Sequence, residues 1–407
     1  MEFVGHSLEK IKSLISKGVK ILNPFSVDIG EEVNIDLISS SGVIIYPGCR
    51  IYGSKTVISS NTKLGTEGPV TVVDCRIGKS VELKGGFFFN SVFLEKAVAG
   101  YGSHVREGCI FEEEASCAHC CGLKHTILFP FVTLGSLINF CDCLIAGGTS
   151  RRNHSEVGSS YVHFNFTPHG DKATPSLFGD VPRGVMLSEP PIFLGGQGGA
   201  VGPVRVGYGN VIAAGSIIRN DYIEENKLII GKGHSGKVIE FKRNSYSDLR
   251  RIVANNLIYL SNLVALREWY RHIRREFVFR EEFGEYIYNG LLEIVELALK
   301  ERLTRLRQLS ENLRAEKKEE LELKDGVSKL EDYLDPTDDD SQPLREEFKR
   351  EVISFLQSGF SYIDTIKRLP EKVKRTGTLW LQGVMMHYLS KVQEHLPSFN
   401  FMAKVKF

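Results

Sequence analysis

The sequence lacks several features that define common classes of protein. It has no apolar run near the roughly 18 residues that a membrane-spanning helix needs. Residues 1–20 carry Glu9, Lys10 and Lys12 where a signal peptide has its apolar centre. Charge of one sign is lacking as well, because 51 basic and 50 acidic side chains leave a net charge of +1. We therefore expect a soluble, cytoplasmic protein that binds neither membranes nor nucleic acids.

Glycine is scarce in one part of the chain. Of 39 glycines, six lie beyond residue 240, which leaves 33 in the first 240 positions. The front part has short aliphatic runs broken by turn residues, which predicts strands and turns. The back part is rich in Leu, Glu, Lys and Arg at helical spacing. We predict a β region over residues 20–243 and an α-helical domain over residues 244–407.

Aliphatic residues recur at every sixth position in the front part. The same spacing occurs in two series, which are Ile77, Leu83 and Phe89, and then Leu194, Ala200, Val206, Ile212 and Ile218. A period of six fits neither a helix nor simple strand alternation. It is typical of hexapeptide repeats, whose coils stack their inward aliphatic residues into a β-helix. The alternative is an ordinary sandwich with accidental spacing.

The segments around the repeats predict further elements. We predict a capping helix over residues 1–19, with one apolar face made of Leu8, Ile11, Leu14 and Ile15. Residues 165–191 are too long for a tight turn and rich in Pro and Gly, so we expect an extruded loop. Residues 335–343 read as an acidic linker. In the helical domain, leucines recur seven residues apart at Leu292, Leu299, Leu306 and Leu313. This spacing predicts that they pack within the domain, or else that they form an intermolecular coiled coil.

Two stretches of the front part carry a resemblance to a known family. The segments are KGVKILNPFSVDIG, which begins at Lys17, and VGPVRVGYGNVIAAGSIIRND, residues 201–221. They resemble the acetyltransferase half of the bacterial bifunctional uridyltransferase/glucosamine-1-phosphate acetyltransferases. The resemblance implies a left-handed β-helix, a homotrimer, acetyl-CoA or another acyl-CoA as co-substrate, and a role related to UDP-N-acetylglucosamine. No GxGTRM-type loop occurs near the start, so we do not expect nucleotidyltransferase activity.

The resemblance also implies roles for individual residues. Arg106, with His104 as the alternative, and Lys124 match the family's sugar-phosphate ligands. Its catalytic histidine and a substrate tyrosine fall at Ser136 and Asn139, so both are replaced here. Further positions match substrate and coenzyme contacts, with Asn165 and Lys172 expected to bind substrate, Ala213 to lie along the pantetheine arm, and Lys232 to meet the coenzyme phosphates.

Loss of the family's histidine requires another base for acyl transfer. An imidazole titrates near neutrality and suits the task. If residues 161–166 form a strand, His163 and Asn165 project to the same side of it. We therefore predict His163 or His154 as the base, against the alternative of surface imidazoles. Arg151 and Lys172 are expected to hold a phosphate, or else to lie in a trimer contact.

The cysteines offer a second chemistry. Cys117 and Cys120 form a CxxC pair, and Cys141 and Cys143 follow. Such residues can bind zinc. However, the Cys-x-Cys spacing is too tight for an ordinary knuckle, so we predict buried thiols and no metal.

Two functions follow from these residues. The first is an acyl-CoA-dependent N- or O-acyltransferase that acts on an amino sugar, sugar phosphate or nucleotide sugar. The second is a catalytically inactive sugar-nucleotide-binding or scaffold protein, whose helical domain recruits a protein partner. The replacements at Ser136 and Asn139 favour the second function, whereas the basic loop and its imidazoles favour the first.

Overall fold

The computed structural model describes residues 5–162, 167–231, 236, 238, 240–246, 248–336 and 340–405. One helix is followed by a parallel β-solenoid, and most of the remaining helices follow the solenoid. The α-helices are α1 Gly5–Lys17, α2 Val181–Gly184, α3 Leu249–Trp269, α4 Arg275–Val278, α5 Gly284–Asn312, α6 Lys318–Gly326, α7 Gln342–Leu356, α8 Tyr362–Arg368 and α9 Glu371–His395. Among the described residues, no helix is both long enough and apolar enough to cross a membrane.

The strands of the solenoid are short, and nearly all pair in parallel. They are β1 Lys20–Ile21, β2 Asp28–Ile29, β3 Ile44–Ile45, β4 Arg50–Tyr52, β5 Val57–Ile58, β6 Lys63–Leu64, β7 Val70–Val73, β8 Arg76–Ile77, β9 Glu82–Leu83, β10 Gly86–Phe89, β11 Ser91–Phe93, β12 Val98–Ala99, β13 Ser103–Val105, β14 Cys109–Phe111, β15 Ser116–Cys117, β16 Gly122–Leu128, β17 Thr133–Leu134, β18 Asn139–Ile145, β19 Gly148–Ser150, β20 Asn153–His154, β21 Glu156–Val157, β22 Ser160–Val162, β23 Ser176–Phe178, β24 Phe193–Leu194, β25 Gly198–Ala200, β26 Arg205–Val206, β27 Val211–Ile212, β28 Ile217–Ile218 and β29 Leu228–Ile229.

Strand pairing gives the solenoid three faces. Face 1 is an eleven-stranded sheet that runs from β1 to β29. Face 2 runs from β2 to β28, and face 3 runs from β5 to β26. The long strands β16 and β18 pass from face 2 to face 3 and join these two faces into one sheet. The prediction of a β-helix followed by a helical region is therefore confirmed.

The six-residue spacing places aliphatic side chains inside the coils. All five members of the later series are buried, namely Leu194, Ala200, Val206, Ile212 and Ile218. In the earlier series Ile77 and Leu83 are buried, but the expectation for Phe89 is wrong, since Phe88 points inward instead. The corner before β10 is one residue shorter because Gly86 has a φ of +134°, a conformation that side chains rarely adopt.

The first helix packs against the first coil. Ile11 and Leu14 of α1 are buried, whereas the expectation for Ile15 is wrong, since its side chain is exposed. Lys10 Nζ donates hydrogen bonds to the carbonyl oxygens of Gly30 and Val33, at 2.9 and 2.7 Å. These bonds satisfy backbone groups that have no further coil to pair with, which limits edge-to-edge association.

The helical region lies alongside the solenoid. Helix α5 contacts the face 3 strands β8, β11 and β14, and α3 packs between α5 and α9. Leu299 and Leu306 of the leucine series are buried within this chain. Between these leucines Arg302, which interrupts the series, pairs with Asp142 of β18, and their nitrogen and oxygen lie 2.6 Å apart. Both side chains are buried, so each charge depends on the other.

The predicted loop and linker contain regular structure. Within residues 165–191, strand β23 pairs with β18 and β26 on face 3, and α2 follows it. Residues are inserted before and after β23, but β23 itself remains part of the sheet of face 3. Within residues 335–343, helix α7 begins at Gln342. Asp335 accepts a hydrogen bond from Arg271 at 2.9 Å, which ties the start of this segment to the helices.

Replacing Arg302 with leucine should lower the free energy of unfolding by about 3–5 kcal/mol, because Asp142 would remain buried without its cation. Chemical denaturation measures this loss. Arg305→Leu is the matched control, since Arg305 pairs with Glu301 nearer the surface, and it should cost less than about 1 kcal/mol. Adding Asp142→Asn to Arg302→Leu should recover part of the loss. Equal losses for the two arginine variants would contradict the role of the buried pair.

Candidate functional site

Face 2 carries a continuous row of outward positions. Strand register places one residue of each coil above the next, in the order His104, Gly122, Asn139, Tyr161, Gly199 and Ile217. Alternate residues of a strand point to the same side of a sheet. This row therefore lies on the outer surface, and several residues that the sequence singles out fall on it or beside it.

Three charged residues lie beside the upper part of this row. Lys124 Nζ is 2.7 Å from Glu107 Oε1, and Arg106 Nε is 3.9 Å from Glu107 Oε2. Burial acts to raise the pKa of Glu107, but the hydrogen bond from Lys124, a backbone hydrogen bond and the charges of Lys124 and Arg106 together lower it below its usual value. The group has a net charge of +1, which suits an anionic ligand. The structure thus brings together two of the predicted phosphate ligands, Arg106 and Lys124.

Ser136 stands at the corner before this face, at the position expected for the family's histidine. Its Oγ lies 2.8 Å from Nδ1 of His119, which belongs to the preceding coil. An imidazole is therefore present at this corner, one coil away from the expected position. Asn139 is exposed on face 2, three residues after Ser136.

A cavity of about 480 Å³ lies over the lower part of the row. Tyr161, Gly199 and Ile217 form its floor, and residues of segment 167–174 form one wall. Another wall is formed by Ser245, Tyr246, Arg251 and Ile252, around the start of α3. A Cβ atom on Gly199 would lie 2.5 Å from the carbonyl oxygen of Tyr161. Glycine is required here because the two backbones approach so closely, and no side chain rises from the floor at this position.

The polar groups of the cavity are held in fixed orientations. Asp171 is buried and accepts a hydrogen bond from the Tyr246 hydroxyl at 2.8 Å. Burial and this hydrogen bond raise the pKa of Tyr246, so its phenol stays protonated. His169 Nδ1 accepts the backbone N–H of Asn244 at 3.0 Å. The neutral ring therefore carries its proton on Nε2 and can donate it to a ligand.

Helical residues hold the wall of this cavity. Asn312 Nδ2 donates to the His169 carbonyl at 2.9 Å, and Asn256 Nδ2 donates to the Ala173 carbonyl at 3.0 Å. The backbone carbonyl of Lys172 accepts from Arg302 at 3.4 Å. Sequence reasoning missed these residues, and it also missed Tyr246. No local motif marks them, since their partners lie far away in the chain.

Two of the predicted site residues lie away from the cavity. Arg151 follows strand β19, and its Nη1 donates to the carbonyl oxygens of Glu114 and Phe131 and to Thr133 Oγ1. His154 lies in strand β20, with Nε2 4.0 Å from Glu156 Oε2. Neither residue lines the cavity.

The other predicted residues are distributed as follows. Lys172 is half-buried in the cavity wall segment, and its backbone N–H donates to Thr167 Oγ1 at 3.1 Å. Ala213 is half-buried at the corner that precedes β28. His163, Asn165 and Lys232 lie outside the described residues, so their assigned roles stay predictions.

The cysteines are free thiols, and nearly all of them are buried. Cys117 Sγ lies 3.5 Å from Ser103 Oγ inside the coils, whereas Cys120 is exposed. Within the part of the chain that the structure describes, no three His, Cys, Asp or Glu residues are grouped so as to hold a metal ion.

Fold and site together define a class of protein, a parallel β-solenoid built on six-residue repeats with a concave site on one outer face. The chain is similar to the bifunctional protein GlmU of Thermotoga maritima, with 28% identity over 215 residues, which is 53% of this chain and 42% of that protein. It is similar to the GlmU protein of Fervidobacterium nodosum, with 27% identity over 54% of this chain and 43% of that protein. It is also similar to the GlmU protein of Geobacillus sp., with 25% identity over 59% of this chain and 45% of that protein. No family model matches the chain.

The resemblance predicted from the sequence is therefore confirmed. The chain spans less than half the length of these curated relatives, between 42% and 45% of each. What the relatives do as whole proteins consequently bears on this chain only as a proposal.

Replacing Lys124 with alanine should raise the pKa of Glu107, because burial then acts with less opposition. Because the pKa of Glu107 is lowered by folding, its carboxylate stabilises the fold at pH values above the unfolded pKa of 4.5. This stabilisation is lost as the pH falls through the lowered pKa, so the variant should lose this pH dependence of its stability. NMR titration of the carboxyl carbons measures the shift. Lys84→Ala is the matched control, since Lys84 lies 2.9 Å from Glu67 and should affect only that residue. An unchanged Glu107 titration in Lys124→Ala would contradict the pairing.

Proposed function

We propose that this protein is an acyltransferase, with acetyl-CoA or another acyl-CoA as donor and an amino sugar, sugar phosphate or nucleotide sugar as acceptor. The observation that carries the proposal is the cavity on face 2, with the cationic group of Arg106 and Lys124 on earlier coils of the same solenoid. Similarity to GlmU proteins supports the same chemistry and favours an acceptor related to UDP-N-acetylglucosamine.

The cavity suits the coenzyme end of such a reaction. Its floor and walls contain apolar groups, among them Tyr161, Ile217 and Pro203, which fit an extended pantetheine arm. Arg219 lines the same cavity, is exposed, and supplies a cation for phosphates. Ala213 lies at the neighbouring corner, and we retain Lys232 as a further phosphate ligand on the ground of the resemblance.

The acceptor end would lie toward the earlier coils. Arg106 and Lys124 would bind the sugar phosphate, with Asn165, Lys172 and Arg151 retained as proposed substrate ligands. In the reaction the acceptor amine attacks the thioester carbonyl and forms the amide bond. The carbon–sulfur bond breaks, the base takes the amine proton, and the coenzyme thiolate leaves and is protonated. The acceptor hydroxyl would replace the amine in O-acylation.

His163 is the stronger of the two proposed bases. It follows Val162, the last residue of β22, and Tyr161 of the same strand lines the cavity. His154 is the second candidate, although it does not line the cavity. We propose further that the protein is a homotrimer, as the resemblance implies, that it is cytoplasmic, and that it uses no metal.

A second function is favoured by specific observations. Serine stands at the expected position of the family's histidine, and Arg151 is engaged by backbone carbonyl groups. Both fit a protein that binds a sugar nucleotide without turnover and presents its helices to a protein partner.

Replacing Ile217 with glutamate should weaken acetyl-CoA binding at least about tenfold, because it places a carboxylate on the apolar floor of the cavity. Isothermal titration calorimetry measures the affinity. Leu379→Glu is the control, because Leu379 is similarly exposed on α9, away from the cavity. No binding of either acetyl-CoA or free coenzyme A by the unaltered protein would exclude the enzyme. Equal affinity in both variants would exclude this cavity as the coenzyme site.

Replacing His163 with alanine should lower kcat about 10²–10⁴-fold and leave acetyl-CoA affinity unchanged, as expected for loss of a general base. Steady-state kinetics over a panel of amino-sugar acceptors measures the effect. His154→Ala tests the second candidate, and His387→Ala on α9 is the control. Acetyl-CoA binding without turnover by the unaltered protein would favour the second function.

A further inference from the structure

Three neighbouring rings form a patch on the outer surface of face 2, which we call the ring patch. It consists of Phe87 and Phe89 of β10 and His104 of β13. Phe88 points into the coil, so Phe87 and Phe89 project outward. The ring centre of Phe87 lies 5.1 Å from that of His104 and 6.5 Å from that of Phe89. Phe87 pairs with His104, so the patch extends the outward row by one coil.

The ring patch faces away from the docked helices. In the same coils, α5 contacts β11 and β14, which belong to face 3. His104 is exposed, and the two phenylalanine side chains are half-buried. Apolar rings that lie together at outward positions mark a contact with a ligand or a protein more often than single ones do. The ring patch is therefore a candidate binding surface.

Two cations follow the ring patch in the chain and in space. Arg106 comes two residues after His104, and pairing of His104 with Gly122 places Lys124 beside Arg106 in the next coil. Successive coils are about 4.8 Å apart. The 3.9 Å between Arg106 Nε and Glu107 Oε2 is too long for a hydrogen bond, and Arg106 is exposed. Its guanidinium is thus available to a phosphate group.

Gly122 leaves an open place beside these cations. A Cβ atom on Gly122 would lie no closer than 3.8 Å to Asn139 Oδ1 and 3.9 Å to the carbonyl oxygen of Ile138. These are ordinary contact distances, and Gly122 belongs to strand β16, a conformation that any residue adopts. Neither crowding nor backbone geometry requires glycine here. Its effect is an open floor between His104 and the exposed Asn139.

We propose that face 2 binds a nucleotide-linked sugar and not a sugar phosphate alone. From earlier to later coils the face presents the ring patch, the two cations, the open place at Gly122, and the cavity floor at Tyr161. A nucleotide sugar has its base, diphosphate and sugar in this order. The base stacks on the ring patch, the diphosphate pairs with Arg106 and Lys124, and the sugar lies over Gly122.

The same order directs the sugar toward the cavity. Strand β18 alone separates β16, which carries Lys124, from β22, which carries Tyr161, so these residues are roughly 10 Å apart along the solenoid. The sugar therefore extends toward the place proposed for the thioester. This direction rests on the proposed function, whereas binding of the nucleotide itself does not. The inference narrows the acceptor to one class, because a sugar phosphate has no group that uses the rings.

The test compares UDP-N-acetylglucosamine with N-acetylglucosamine 1-phosphate by isothermal titration calorimetry on the full chain. The nucleotide sugar should bind at least about tenfold more tightly, through stacking of its base. Phe87→Leu should remove this difference and leave the affinity for the sugar phosphate unchanged, whereas Phe87→Tyr should retain it. Phe193→Leu is the matched control, since Phe193 is exposed on face 1.

A second variant tests the open place. Gly122→Val should weaken both ligands at least about tenfold with little change in Tm, because valine suits a strand and the fold has room for its Cβ atom. Tight binding of both ligands by this variant would place the sugar elsewhere and overturn the proposed path.

Further outcomes separate this inference from its alternatives. Equal affinity of the unaltered protein for the two ligands, or no binding of either, would overturn it. So would a change of oligomeric mass in Phe87→Leu with unaltered nucleotide affinity, which would assign the ring patch to a contact between copies of the chain. Acetyl-CoA is titrated into the same samples. Binding of the nucleotide sugar without acetyl-CoA would support the inference and remove the proposed acyltransferase instead.

Discussion

Docking of the helices on face 3 depends on charged and polar side chains that are buried between the solenoid and the helices. Arg274 meets Glu113, Arg302 meets Asp142, and the hydroxyl of Tyr270 donates to Glu112 at 2.6 Å. Each of these groups has lost its contact with water, so each must keep its partner. Successive coils are about 4.8 Å apart. A slip of the helices by one coil would separate all three contacts, which fixes their position along the solenoid.

That fixed position shapes both cavities. The face 2 cavity has a floor of stacked coils, and residues of α3 and α5, among them Asn256 and Asn312, hold its wall in place. A second cavity, of about 510 Å³, has a solenoid corner on one side and the segment that joins α7 to α8 on the other. The helical region is therefore part of each cavity, and a change that loosens its docking should affect both of them.

The site on face 2 combines residues that match the family resemblance with residues that lie outside the repeats. Arg106 and Lys124 occupy the positions that the resemblance assigns to phosphate ligands, and the structure places them together around Glu107. Ser136 departs from the pattern, yet it contacts the imidazole of His119. The polar groups of the cavity, Asp171 and Tyr246, come from an inserted segment and from the connection to the helices. Recognition of a ligand here would thus rest on residues outside the repeats.

The sequence by itself determined the coils and the helices, because a six-residue or a helical period reports which side chains face inward whatever lies further away. It predicted the wrong inward residue at Phe89, where a corner shortened at Gly86 shifts the register by one. In the leucine series the sequence shows Arg302 only as an interruption and indicates no partner for it. Only the tertiary structure decided that this charge is buried against Asp142, and that Tyr246 and Asn312 reach segment 167–174. These partners lie about 75 to 160 positions apart in the chain, and their contact is created by docking, which no local pattern encodes.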